Sequence, residues 1–316
     1  MKDNLKINEK FAGAVLAKVT RGDLVESLHL GHLIVLNADG STYLSKGSPE
    51  LPIYPRSSIK SLQAAAMLKA GLKVEANELA IICASHSGSQ NHIDLVIKML
   101  TSRGISTSQL KNAVDKQLGE KEKFSWGEKP ASQLAQNCSG KHAGMLITCQ
   151  QNGWEMESYL DLNHPLQVAI KNEIEALASE KVSAVSVDGC GAPLFAISLV
   201  GLARAISNLV KSKDDLNQQI VLACTKFPEL VAGDGRLTTR MMRAVPGMFM
   251  KEGAEGVQVC ALRDGRVIAI KIIDGSWRPV APIIMEIFKR WGFDMPDESV
   301  KIYGGGSVIG EVIANI

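Results

Sequence analysis

The stretch Tyr54-Pro55-Arg56-Ser57-Ser58-Ile59-Lys60-Ser61-Leu62-Gln63 carries a serine and a lysine in the spacing S-x-x-K. Pro55 keeps Tyr54 out of helical geometry. Ser57 or Ser58 is placed to cap a helix running through Met67 and Leu68 to a stop at Gly71. Residues three apart share a helix face, so the Lys60 amine is expected to reach the Ser57 hydroxyl. The positive end of the helix dipole beside that hydroxyl favours an alkoxide or an anionic substrate group. A lysine acts as base only when neutral, which requires burial or a second cation, and Arg56 is one candidate cation. A serine at a helix start is more often only a cap, and S-x-x-K recurs by chance. The motif therefore needs support from the rest of the chain.

Before it, Ala14 to Val19 and Leu24 to Val35 read as antiparallel strands. Asn37-Ala38-Asp39-Gly40 is a hairpin turn into Thr42-Tyr43-Leu44. After it, Leu79 to Ala84 is a short apolar run, strand or buried helix. It ends in Ser85-His86-Ser87-Gly88-Ser89-Gln90-Asn91-His92, which reads as an active-site loop or simply as the entry to a capped helix through Ile93, Val96 and Leu100. In Asn137-Cys138-Ser139-Gly140-Lys141-His142 reactive residues gather at the start of a helix ending near Gly153. The dipole there is expected to lower the Cys138 pKa. Cys138 and Lys141 can share a face, either as a thiolate site for metal or redox work or as a small-residue helix entry packed on a neighbour.

Pro165 opens another helix, and Val182 to Val187 reads as a strand. The turn Asp188-Gly189-Cys190-Gly191-Ala192-Pro193 presents a second cysteine and a carboxylate, and Phe195 to Val210 follows as an apolar helix. Asp215 to Phe227 is helical, and the arginines from Arg236 to Arg243 read mostly as solvated surface. Val257 to Leu262 and Val267 to Ile273 form a hairpin, Pro279 to Trp291 a helix, and Ile302 to Ile316 closes the chain. Strands at both ends around a helical middle imply an α/β (α+β) fold, with one antiparallel sheet from both termini and helices packed on it. Neither G-x-G-x-x-G nor G-x-x-x-x-G-K-[ST] occurs, which argues against a Rossmann or P-loop nucleotide site.

A net charge of +2 gives no electrostatic case for nucleic acid or an anionic membrane. The N-terminus, Met1-Lys2-Asp3-Asn4-Leu5-Lys6, has no signal-peptide core and no apolar run is long enough to span a bilayer, so a cytoplasmic location is expected. The six cysteines form no C-x-x-C pair, which points to free thiols or metal ligands, with Cys83, Cys149, Cys224 and Cys260 in the core. Residues 1–316 are read as a single domain.

Six blocks in order cover nearly the whole chain: residues 54–63, Ala-Ser-His-Ser-Gly (84–88), Asn-Cys-Ser-Gly-Lys-His-Ala-Gly-Met-Leu (137–146), Asp-Gly-Cys-Gly-Ala-Pro (188–193), Met-Arg-Ala-Val-Pro-Gly (242–247) and Lys-Glu-Gly-Ala-Glu-Gly (251–256). Together they resemble the L-asparaginase II family of the Rhizobium etli type. The resemblance implies a fold like the serine β-lactamases and glutaminases, hydrolysis of L-asparagine to L-aspartate and ammonia, a zinc ion near the active site, and a homodimer. It makes Ser57 and Lys60 one Ser-Lys pair and Ser87 with Lys251 a second, Ser87 being preferred over Ser85. It makes Cys138, Lys141 and Cys190 the zinc ligands, with Arg56, His142 and Asp188 around the substrate. The chain departs from the family's pattern at Ser89, where Glu is common, and at Glu252, where Thr is common.

Two other classes compete. One is a glutaminase or penicillin-recognising serine hydrolase on the same scaffold. The absence of S-D-N and the presence of Lys251-Glu252-Gly253 in place of K-T-G argue against its penicillin-recognising form. The other is a non-enzymatic zinc- or redox-responsive binding protein built on Cys138 and Cys190.

Overall fold

A computed structural model describes residues 9–316 of the chain. The segment Met1–Lys6, read above for a leader, lies outside the described residues. The first strands form a meander: β1 (Ala14–Arg21), β2 (Leu24–Leu36) and β3 (Thr42–Lys46). The expected turn joins the last two, with Gly40 N–H donating to Asn37 O. A short β4 (Pro52–Ile53) and a 3-10 turn (Arg56–Ile59) then lead into α1 (Lys60–Lys69). The helical middle comprises α2 (Ala76–Ile82), α3 (Gln90–Thr101), α4 (Glu120–Trp126), α5 (Ser139–Asn152) and α6 (Pro165–Ala178). β5 (Ala184–Val187) and β6 (Pro193–Ser198) interrupt it before α7 (Leu199–Lys211), α8 (Asp215–Lys226), α9 (Pro228–Val231) and α10 (Leu237–Ala244). The chain ends with β7 (Phe249–Gly253), β8 (Val257–Ala261), β9 (Val267–Ile272), α11 (Val280–Arg290), β10 (Lys301–Gly304) and β11 (Ser307–Ala314).

The strands from both chain ends make one antiparallel sheet in the order β10-β11-β1-β2-β9-β8-β7, with β3 also paired to β2. This is the architecture expected from the sequence. A second small sheet, β4-β6-β5, was not expected. It arises because Phe195 begins no helix: Pro193–Ser198 is a strand buried along its whole length, and Ser198 caps α7 by accepting from Gly201 N–H. An apolar run buried on all sides has no periodicity to separate strand from helix.

Two further local readings resolve or change. Leu79 to Ile82 belongs to a helix, fixed at its start by the reciprocal side-chain bonds of Glu75 and Glu78. Ser57 and Ser58 do not cap α1. They lie in the 3-10 turn, and Ser58 Oγ donates to Pro55 O at 2.7 Å. Every residue of α1 except Lys69 is buried, because its alanines let α6, α5 and α8 close around it. Gly71 ends this segment with φ +96°, a conformation glycine adopts without a Cβ penalty. One apolar cluster joins α1 and α7 to the inner faces of β2, β8 and β9. Cys83, Cys149, Cys224 and Cys260 are buried free thiols of this core. Among the described residues, no helix is long and apolar enough to cross a membrane.

Candidate active site

The 3-10 turn, the loop after α2, the entry to α5 and the edge strand β7 meet at a cleft of about 420 Å³. Ser57, Ser85, Asn137, Arg236, Glu252 and Gly253 are among its lining residues. Gly253 explains how β7 comes so near the serine turn. A Cβ there would lie 2.4 Å from Pro55 O and 3.3 Å from Ser57 N, so only glycine permits the approach. Arg56 holds φ +53°, a strained conformation for a side chain of its size. Its Nε donates to Asp188 Oδ1 at 2.7 Å, a tether that helps hold the turn.

Lys60 is 1% exposed. Its Nζ donates to Ala84 O, to Ser85 Oγ at 3.2 Å and to Cys138 Sγ at 3.0 Å. It therefore turns toward Ser85 rather than toward the Ser57 hydroxyl expected from helical spacing. Lys251 on β7 reaches the same serine: Nζ to Ser85 Oγ is 2.9 Å, and it also donates to Glu252 O at 2.8 Å. Burial, with the charges of Lys60 and Arg236, holds Lys251 well below the usual lysine range.

The expected pairing of Lys251 with Ser87 is not what the structure has. Ser87 Oγ donates to Ala232 O at 3.0 Å, and Ser87 N–H donates to the same carbonyl at 2.6 Å. The two serines flank His86, and nothing local in Ser-His-Ser says which one faces the lysines. Arg236, read as surface, is instead drawn into the cleft, with Nη1 on Ser85 O at 2.8 Å. An arginine at the head of an amphipathic helix carries no sign of this in sequence. Ser89 caps α3, its hydroxyl 2.7 Å from His92 Nδ1.

Beside the cleft, Cys138 and Cys190 pack together with Ala192 and Leu160. Lys141 Nζ donates to Cys190 Sγ at 3.1 Å, and Asp188 Oδ2 lies 3.9 Å from the same sulfur. The expected fall in the Cys138 pKa does not occur. The hydrogen bond with Cys190, with burial, pushes Cys138 up to about 12, and the same bond lowers Cys190 to about 5. The contact between the two sulfurs is thus the largest influence on both thiols, and it moves them in opposite directions. Burial disfavours a charged Lys141, but Cys190, Cys138 and Asp188 outweigh it and raise its pKa. Burial likewise opposes ionisation of Asp188, and Lys141 and Arg56 overcome it, so its pKa is lowered.

Among the described residues, no three His, Cys, Asp or Glu side chains are grouped as a metal would need. A metal here would depend on Lys141 as third donor. By donor type the set fits zinc: two sulfurs and an amine that converge, with a carboxylate close by. His142 sits behind this group, fully buried, with Nδ1 2.8 Å from Tyr159 Oη. Burial and the Lys141 charge hold its pKa well below the usual histidine range. It does not line the cleft.

No curated protein matches the chain. Solved structures similar to it include a candidate β-lactamase from Bacteroides dorei DSM 17855, at 10% identity over 82% of this chain and 93% of that one, with TM-score 0.45. Another is Mglu in its tris and glutamate form, at 14% identity over 82% of this chain and 59% of that one, with TM-score 0.45. A model of the L-asparaginase II family matches residues 17–307, from within β1 to the first residue of β11, and the chain belongs to that family.

Proposed function

We propose that this cleft hydrolyses the side-chain amide of L-asparagine to L-aspartate and ammonia. Family membership supports an amidohydrolase role. The observation that carries the chemistry is the bridge Lys60–Ser85–Lys251, with the Lys251 pKa held well below the usual lysine range by burial and by the Lys60 and Arg236 charges. Ser57 faces the cleft beside this bridge and is more exposed than Ser85. In our reading Ser57 Oγ attacks the amide carbon. Ser85, which bridges Lys60 and Lys251, relays the Ser57 proton to Lys251. Backbone N–H groups at Ser57 and along the adjoining edge of β7 would stabilise the oxyanion. The proton passes to the departing ammonia as the C–N bond breaks. Water then cleaves the Ser57 ester, its proton returning along the same path.

Cys138, Cys190 and Lys141 would hold zinc, with Asp188 as their neighbour. A bound zinc would supply a fixed positive charge that orients the substrate and holds the α5 entry against the Cys190 turn. Ammonia release by the purified protein from L-asparagine, with L-glutamine beside it and with zinc or a chelator added, tests the reading. Release from asparagine supports it. No release under any metal condition refutes it. Preferential release from glutamine favours a glutaminase in its place.

A further inference from the structure

The cleft contains a charge pair that this proton path does not consume. Arg236 Nη2 donates to one carboxylate oxygen of Glu252, and Thr238 Oγ1 donates to the other at 3.4 Å. The arginine and glutamate side chains are 24% and 14% exposed, and both line the cleft together with Ser57 and Ser85. They are thus largely desolvated, yet open to whatever occupies the cleft. Glu255 and Asp274 line the same cleft, so its carboxylates outnumber the one arginine there. Of these acids Glu252 is the inner one: the Asp274 side chain is 59% exposed, and Glu255 is exposed. A part-desolvated carboxylate beside the reacting serines, with its orientation fixed by an arginine and a threonine, is suited to receive an ammonium group. A threonine at this position would supply no charge.

We propose that Glu252 is a specificity-determining residue that binds the α-ammonium of the substrate, so that this chain selects amides of amino acids with a free α-amino group. Arg236 is the positioning residue that holds the Glu252 carboxylate. This rests on the amidohydrolase reading for the identity of the reacting amide, but not for the recognition of the ammonium.

Titration calorimetry with L-aspartate and with succinate isolates the group in question, because the two differ only by the α-ammonium. The wild-type protein should bind L-aspartate at least about tenfold more tightly than succinate, the scale of one charge-assisted hydrogen bond. Glu252→Gln and Glu252→Thr should reduce that ratio to about threefold or less, and Glu252→Asp should retain part of it. A wild-type protein without the preference, or an unchanged ratio in folded Glu252→Gln and Glu252→Thr proteins, would overturn the proposal. Should Glu252→Gln and Glu252→Thr fail to fold, a Glu252→Asp protein as selective as wild type in place of a partial loss would also count against it. Ammonia release is measured separately. Selective aspartate binding without ammonia release leaves the recognition standing and refutes the amidohydrolase reading. Ammonia release with an unchanged ratio does the reverse.

Discussion

Ser85 Oγ lies 2.9 Å from Lys251 Nζ and 3.2 Å from Lys60 Nζ, so one hydroxyl joins an amine on edge strand β7 to an amine at the head of α1. On the proposed mechanism this bridge gives the two cleft serines different roles. Ser57→Ala should lower turnover by about 10³-fold or more, since it removes the attacking oxygen. Ser85→Ala should leave the attacking oxygen and slow its activation by about 10²-fold or more. Intact-mass analysis after mixing with substrate distinguishes them: Ser85→Ala can still form the acyl adduct, and Ser57→Ala cannot. An adduct on Ser85 in the Ser57→Ala protein would exchange the two roles.

Lys251 also sets a pH dependence. Its folded pKa is depressed below the unfolded value, so between the two the unfolded chain binds more protons. Stability therefore rises with pH across that window, by about 1.4 kcal/mol per unit where this group dominates. The penalty for burying this amine is fully present below the folded pKa, where it is buried charged, and gone above the unfolded one, where it is neutral in both states. Lys251→Met should flatten the rise and raise stability at neutral pH, while lowering turnover by about 10²-fold or more. Urea denaturation between pH 6 and 9 reads the first effect, and ammonia release the second.

Gly253 admits no side chain because Pro55 O and Ser57 N occupy the space. Gly253→Ala should push β7 away from the serine turn, with a loss of turnover of about 10²-fold, the cost of a small misplacement at a reacting centre. The melting temperature should fall as well, since the obstructing atoms are backbone and β7 is buried along most of its length. Normal turnover in this variant would show that the close approach is not needed for the reaction.

Gly140 lies between Cys138 and Lys141, and a Cβ there would meet Ile81 O at 2.3 Å. Alanine is the better helix former, yet Gly140→Ala should destabilise the protein by about 1–3 kcal/mol because α5 must retreat from α2. Denaturant titration gives this directly. A stabilised variant would mean that the contact is loose.

The zinc reading predicts about one zinc per chain by elemental analysis of protein purified without chelators. Cys190→Ser should reduce this severalfold, since it removes one of two sulfurs. Cys260→Ser, in a core thiol of β8, should leave the zinc content as it was. Equal zinc in wild type and Cys190→Ser would place the metal elsewhere.

Much of the fold was legible because its elements carry local signals. The β1–β3 meander has turn residues at its corners, and α3, α6 and α11 have periodic apolar faces. The serine turn and the cysteine blocks were legible as reactive groups at element junctions, and Lys251, in the middle of β7, only through the family resemblance. What was not legible depends on distance in sequence. The choice of Ser85 over Ser87 is made by β7, far along the chain, and the upward shift of the Cys138 thiol is made chiefly by Cys190. Arg236 enters the cleft because Glu252 and the Ser85 carbonyl await it there. β6 looked helical because burial on every side erases the alternation that marks a strand.

The pairing of Ala17 with Ala314 and of Val19 with Val312 closes the large sheet between the two ends of the chain. During synthesis β1 leaves the ribosome well before β11, so the outer edge of β1 stays open until β11 has been made. Lys251 joins Ser85 shortly before that. Nascent chains stalled ahead of β7 would already contain the serine turn and both cysteines of the proposed zinc site, but not the Lys251 amine of the proposed proton path. On the proposed mechanism the nascent chain stays inert until β7 is in place, a timing imposed by contacts of long sequence separation.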